Sequence, residues 1–159
     1  MEIYILRHAI AEVRRPGLPD AQRALTPEGK LKLRKILLRA KKVKVAPSLI
    51  LTSPYTRALE TAEMAAELLG YQGQVVRTSA LVPGSSPPAI WKEISSRKDE
   101  RAVLLSGHEP LLSATAAYLL NAPTLQIDLK KGALVRIDLD RLAGTPHGVL
   151  KWILTAKLA

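Results

Sequence analysis

The chain has 159 residues, 47% apolar and 24% charged, and its 24 Lys and Arg against 14 Asp and Glu leave a net charge of +10. This composition fits an ordinary globular chain with one core, and it excludes a disordered or fibrous protein. No apolar run approaches the roughly 18 residues that span a bilayer, and without cysteine there is no disulfide framework, thiol nucleophile or thiolate metal site.

The opening MEIYILRHA has no basic leader ahead of a long apolar stretch. The expectation is a chain without a signal peptide, at home in the cytoplasm. A field of +10 favours anionic partners: nucleic acid, phosphorylated protein, small phosphates or an acidic surface. Aromatics are only 4%, with no Phe, and that argues against stacking on single-stranded nucleic acid.

Glu2–Leu6 reads as a buried strand ending at Arg7. Thr26 and Pro27 open a helix as N-cap and first residue, and Leu33, Ile36, Leu37 and Ala40 form its apolar stripe. Leu49–Thr52 is the second strand. Ser53–Pro54 is expected to cap the next helix in the same way, with Gly70 stopping it. Val75–Thr78 reads as a short strand, Leu81–Pro88 as a loop and Ala89–Arg97 as a helix. Ala102–Leu105 is a fourth buried strand, followed by the turn SGHEP and a helix near Leu111–Leu120. Ala133–Leu139 and Val149–Thr155 alternate as strands across a Gly-Thr-Pro-His-Gly loop. The rhythm predicts a three-layer α/β/α fold over residues 1–159, a single domain. Its sheet is mostly parallel, with an antiparallel edge from the last two strands.

In such sheets ligands bind beyond the carboxyl ends of the strands. Arg7 and His8 follow the first strand, Arg57 opens the helix after the second, and His108 follows the fourth. Two arginines present fork-shaped donors that match phosphate oxygens. Two His could ligate zinc, but adjacent arginines repel a cation and no carboxylate cluster accompanies them. The set suits a phosphoryl group, whose transfer depends on positioning and charge neutralisation. A neutral imidazole can attack phosphorus, and a second, protonated His can stabilise the equatorial oxygens.

LRHA at 6–9, LTPEG at 25–29, TSPYTRALETA at 52–62 and SGHEP at 106–110 resemble, in that order, the histidine phosphatase superfamily of phosphoglycerate-mutase-like enzymes. Small size, the LVPGSSPP segment and the closing KKGALVRIDLD most resemble its SixA group of phosphohistidine phosphatases. The resemblance implies His8 as nucleophile, Arg7 and Arg57 as phosphate-binding arginines and His108 as the second histidine. It also implies a phosphohistidine intermediate on His8, with no metal and no cofactor. Thr26 and Ser53 read as helix caps beside these motifs.

Two positions depart from the pattern. Ala9 stands where the superfamily has Gly, which matters if that residue needs φ > 0 or a close approach. The loop Leu81-Val82-Pro83-Gly84 lacks the Glu general acid of many members, as SixA-type members do. An alkyl phosphate gains about 10²–10⁴-fold from a proton donor, whereas a phosphohistidine releases imidazole, with a pKa near 6.5. The expected substrate is therefore a phosphohistidine-bearing protein, a phosphotransfer domain or carrier. Small phosphates or polyphosphate are the alternative, and a basic binding module without catalysis the third reading. Glu12 and Glu109 are nearby carboxylates, Glu109 the weaker candidate for an acid. His147 reads as solvated or structural, and Trp91 and Trp152 as core anchors. The run Arg39, Lys41, Lys42 and Lys44 complements a helix dipole or docks an acidic partner. No heptad or large apolar stripe is evident, which favours a monomer.

Overall fold

The structure, a computed structural model, describes residues 1–159. Its regular elements are β1 (Glu2–Arg7), α1 (Pro27–Lys42), β2 (Leu49–Thr52), α2 (Thr56–Leu69), β3 (Val76–Arg77), α3 (Pro87–Ser95), β4 (Ala102–Gly107), α4 (Leu111–Leu119), β5 (Leu134–Asp138) and β6 (Val149–Leu154). This is the predicted order. Six strands form one sheet in the order β3-β2-β4-β1-β5-β6. The first four in that list run parallel, and β5 and β6 add the antiparallel edge. No helix is long and apolar enough to cross a membrane.

Alternation along the strands sorts the core into two layers. Tyr4, Leu6, Ile50 and Leu104 face α1 and α2, where they meet Leu33, Ile36, Leu37, Ala40, Ala62 and Ala65. Ile3, Ile5, Leu49, Leu51, Val103 and Leu105 face α3 and α4, where they meet Ile90, Trp91, Ile94, Leu111 and Leu112. Both faces of the parallel strands are thus covered, so their sequences read as nearly unbroken apolar runs.

The helix signals hold at α1 and at the end of α2, and fail at the start of α2. Thr26 Oγ1 accepts from the Gly29 amide at 3.0 Å, with Pro27 first in the helix. Gly29 is required by a close approach, since a Cβ there would lie 2.2 Å from the Ile10 carbonyl oxygen. Gly70 ends α2 in the left-handed conformation, at φ 75°. The N-terminus of α2 corrects the sequence reading: the helix starts at Thr56, and Ser53–Pro54 does not cap it. The α3 boundary also shifts. Ser86 caps it, its Oγ accepting from the Ala89 amide, and Pro87 and Pro88 form its first turn.

Candidate active site

Strand register builds the site. Arg7 pairs with Gly107 across β1 and β4, so the next residues, His8 and His108, emerge side by side. Thr52 pairs with Ser106 across β2 and β4, which brings Ser53 beside them. The His8 and His108 rings lie 5.2 Å apart, centre to centre. Both are buried, as are Arg57 and Ser53, and Arg7 is half-buried. The four residues expected from strand ends therefore do converge on one rim.

Backbone carbonyls hold three of the four. His8 Nδ1 lies 2.7 Å from the Ala9 carbonyl oxygen. A carbonyl only accepts, so Nδ1 carries the proton and Nε2 carries the free lone pair. Arg7 Nη1 donates to the Leu129 carbonyl at 2.7 Å. Arg57 Nη1 donates to the Asp20 carbonyl at 2.8 Å, and Nη2 reaches the Asp20 carboxylate at 3.3 Å. Tyr55 packs its ring on both His108 and Arg57, at 5.2 Å each. Arg7 Nε, Arg57 Nε and His108 Nδ1 are buried with no hydrogen-bond partner. Unpaired buried polar atoms cost about 1–3 kcal/mol each, and here they gather where an oxyanion would meet them.

Electrostatics keep both imidazoles neutral. Burial first, then Arg57 and Arg7, push His8 down to about 4 against the pull of its Ala9 hydrogen bond. Burial, Arg57 and His8 push His108 down to about 3. A neutral His8 is what an attacking nitrogen requires. In the free site His108 is likewise held neutral, because burial and the Arg57 charge oppose a cation there.

Sequence reasoning took Ser53 for a helix cap and missed Thr61 and Asp20. Ser53 Oγ lies 2.9 Å from His108 Nε2 and accepts from the Tyr55 amide at 3.2 Å, so it orients the imidazole. Thr61 Oγ1 donates to the Arg57 carbonyl at 2.7 Å and accepts from the Ala9 amide at 3.2 Å, tying α2 to the loop after His8. Asp20 joins Arg57 to Arg23, whose Nε lies 2.9 Å from its carboxylate. Burial alone would raise that carboxyl, but Arg57 and Arg23 outweigh it and hold Asp20 below its ordinary range. The signal for this group was an Asp and an Arg three residues apart just ahead of LTPEG.

Ala9 is buried, and it is not among the residues with positive φ, so Ala in place of Gly brings no left-handed strain. Both candidate acids accept a backbone hydrogen bond: Glu12 from the Ala24 amide at 3.1 Å, and Glu109 from the Ser113 amide in the first turn of α4 at 2.8 Å. No three His, Cys, Asp or Glu side chains cluster as a metal site would need. His147 is exposed beside Asn121.

Fold and site together define an α/β protein with an arginine-flanked histidine pair at the carboxyl end of its parallel strands. A family model of the histidine phosphatase superfamily, branch 1, matches residues 3–81. An uncharacterized protein of Picosynechococcus sp. is 33% identical over 139 residues, covering 85% of this chain and 83% of that one. The chain belongs to the histidine phosphatase superfamily, branch 1, and is a phosphatase. Its fold matches that of the protein histidine phosphatase SixA complexed with tungstate, with a TM-score of 0.87 at 22% identity over 99% of this chain and 98% of that one. A chain from Agrobacterium tumefaciens that carries the SixA name has a TM-score of 0.82 at 22% identity, over 97% of each chain. A mycobacterial glucosyl-3-phosphoglycerate phosphatase shares the fold at a TM-score of 0.69 and 18% identity, over 94% of this chain and 96% of that one.

Proposed function

We propose that the chain dephosphorylates protein phosphohistidine through a covalent phosphohistidine on His8, without a metal or cofactor. One observation carries the reading: a neutral His8, its Nε2 lone pair free, stands near Arg7 and Arg57 and beside His108, and the loop Leu81-Val82-Pro83-Gly84 brings no carboxylic acid. His8 Nε2 attacks phosphorus while the P–N bond of the substrate breaks. The bonding pair goes to the departing imidazole, which leaves neutral when its other nitrogen already carries a proton. Arg7 and Arg57 hold the phosphoryl oxygens, and His108 takes up a proton as the anion arrives. Water then attacks phosphorus on His8. The P–N bond electrons return to Nε2, Nδ1 keeps its proton against the Ala9 carbonyl, and the water protons leave on phosphate and to solvent.

An alkyl ester would need a proton for its alkoxide. Asp20 is the carboxylate that reaches Arg57, but the arginines keep it ionised, so it offers none. This disfavours sugar and amino-acid phosphates. The fold-level likeness to the glucosyl-3-phosphoglycerate phosphatase is the support for that second reading. The SixA structure is a complex with tungstate, an oxyanion shaped like phosphate, and that supports oxyanion binding by this chain as well. A cytoplasmic setting belongs to the same proposal.

The test is phosphate release from a phosphohistidine-bearing protein, beside p-nitrophenyl phosphate and phosphoglycerate, with EDTA present and His8→Ala as control. The expected result is chelator-resistant release that favours phosphohistidine and falls by at least about 10³-fold in the variant. Preference for phosphoglycerate would overturn the substrate assignment.

A further inference from the structure

A cavity of about 800 Å³ opens beside the candidate site, with Arg7 in the shared wall. Lys32, Lys130, Lys131 and Lys157 line it, with Asp128 as the one carboxylate. Three separate elements supply the lysines: α1, the turn before β5 and the segment after β6. That turn is fixed to the nucleophile strand. The Gly132 amide donates to the Arg7 and His8 carbonyls, at 3.1 and 3.2 Å, while Arg7 donates to Leu129. The charge of Lys131 is felt at the His8 ring, where it contributes to lowering its pKa.

Two of the four lysines have exposed partners: Lys130 with Asp128 at 2.5 Å and Lys32 with Glu28 at 2.6 Å. Such pairs hold little energy and exchange readily. Lys131 and Lys157 belong to none of the ion pairs of the chain. The candidate nucleophile therefore has a cationic trough on one side. The opposite side carries a different surface, a cavity of about 430 Å³ between α3 and α4 that includes Pro87, Pro88 and Pro110.

On the reading that the substrate is a phosphorylated protein, we propose that this trough docks an acidic stretch flanking the phosphohistidine. One feature fits a protein surface rather than a polyphosphate chain. Ile10 and Ala156 add apolar surface to the lining, against which lysine stems and a peptide backbone pack. Charges placed this way raise the encounter rate and select the partner.

The test uses the full chain and two phosphohistidine peptides prepared with phosphoramidate, one flanked by three Glu on each side and the other by three Gln. At low salt the Glu peptide should show about a tenfold higher kcat/KM, and 0.5 M NaCl should erase most of that advantage. In Lys130→Glu/Lys157→Glu the advantage should vanish while turnover of p-nitrophenyl phosphate stays unchanged. Equal, measurable rates for the two peptides in the wild type, or an advantage that survives in the variant, overturn the proposal. A second arm reads binding of the unphosphorylated Glu peptide by fluorescence anisotropy, with inorganic polyphosphate as competitor. Weaker binding in the variant supports the trough even if neither peptide is hydrolysed, an outcome that would instead sink the substrate assignment. Equal binding in both proteins, or polyphosphate that binds the trough and is itself hydrolysed in preference to the peptides, overturns it.

Discussion

His8 and His108 sit neutral in the free site because burial and the neighbouring charges oppose a cation. A bound phosphate dianion reverses that local balance. Tungstate or phosphate binding at pH 6 should therefore be accompanied by proton uptake, read as a buffer-dependent enthalpy in titration calorimetry. No dependence on the buffer would show that His108 stays neutral in the complex. Ser53 makes a related prediction: Ser53→Ala removes the hydroxyl that orients His108 and should lower kcat by about 10-fold with little change in thermal stability. Full activity in that variant would reduce Ser53 to a loop residue. The difference between what was legible and what was not follows from distance along the chain. Arg7, His8, Arg57 and His108 could be read off strand ends, since the carboxyl rim of a parallel sheet is a place that topology alone defines. Ser53, Thr61 and Asp20 act through partners 55, 52 and 37 residues away, and no local pattern announces such pairings.

At the scale of elements, the start of α2 shows why a signal sequence is not a structure. Ser-Pro resembles the Thr-Pro that opens α1, but Ser53 is in ladder contact with β4, its amide bonded to the Ser106 carbonyl at 3.0 Å. Its side chain lies within reach of His108, so the helix begins three residues later. The sheet, and not the local propensity, sets that boundary. The same tertiary logic governs LTPEG. Gly29→Ala should destabilise the fold by about 1–3 kcal/mol, because the new methyl would collide with the Ile10 carbonyl. Gly84→Ala, with open space around it, should be close to neutral in the same chemical unfolding assay. Equal effects at the two positions would contradict the close packing of α1 on the loop after His8. Order and type of all ten regular elements were readable from apolar runs, caps and breakers. The two-residue β3 and the α3 boundary were less so: only Val76 and Arg77 pair in register with β2, while Thr78, its amide still bonded to the Thr52 carbonyl, caps a short turn at Ser79–Leu81, and Pro87 starts a helix rather than ending the loop over 81–88.

For the whole molecule, the suppressed histidines couple the site to stability. Both rings bind protons in the unfolded chain near pH 6.5 but in the folded chain only near pH 4 and pH 3. Unfolding therefore takes up protons across that interval, so their contribution is intact above pH 6.5 and is lost as the pH falls towards 4. For His8 alone the loss by pH 4 is on the order of 3 kcal/mol. Urea unfolding at pH 7.5 and 5 should show lower stability at pH 5, and His8→Ala should shrink the difference. A pH-independent midpoint in the wild type would refute the neutral pair. The two-layer core has a spectroscopic consequence as well. The chain contains two tryptophans and no Phe, and the indoles sit on opposite sides of the sheet: Trp91 in the layer of α3 and α4, Trp152 against the layer of α1 and α2. Each single-tryptophan variant is thus a fluorescent reporter of one layer. If their denaturation curves superimpose, the layers melt as one cooperative unit, as a single domain over residues 1–159 requires. If they separate, the gap between the curves measures how loosely the sheet binds its two coats.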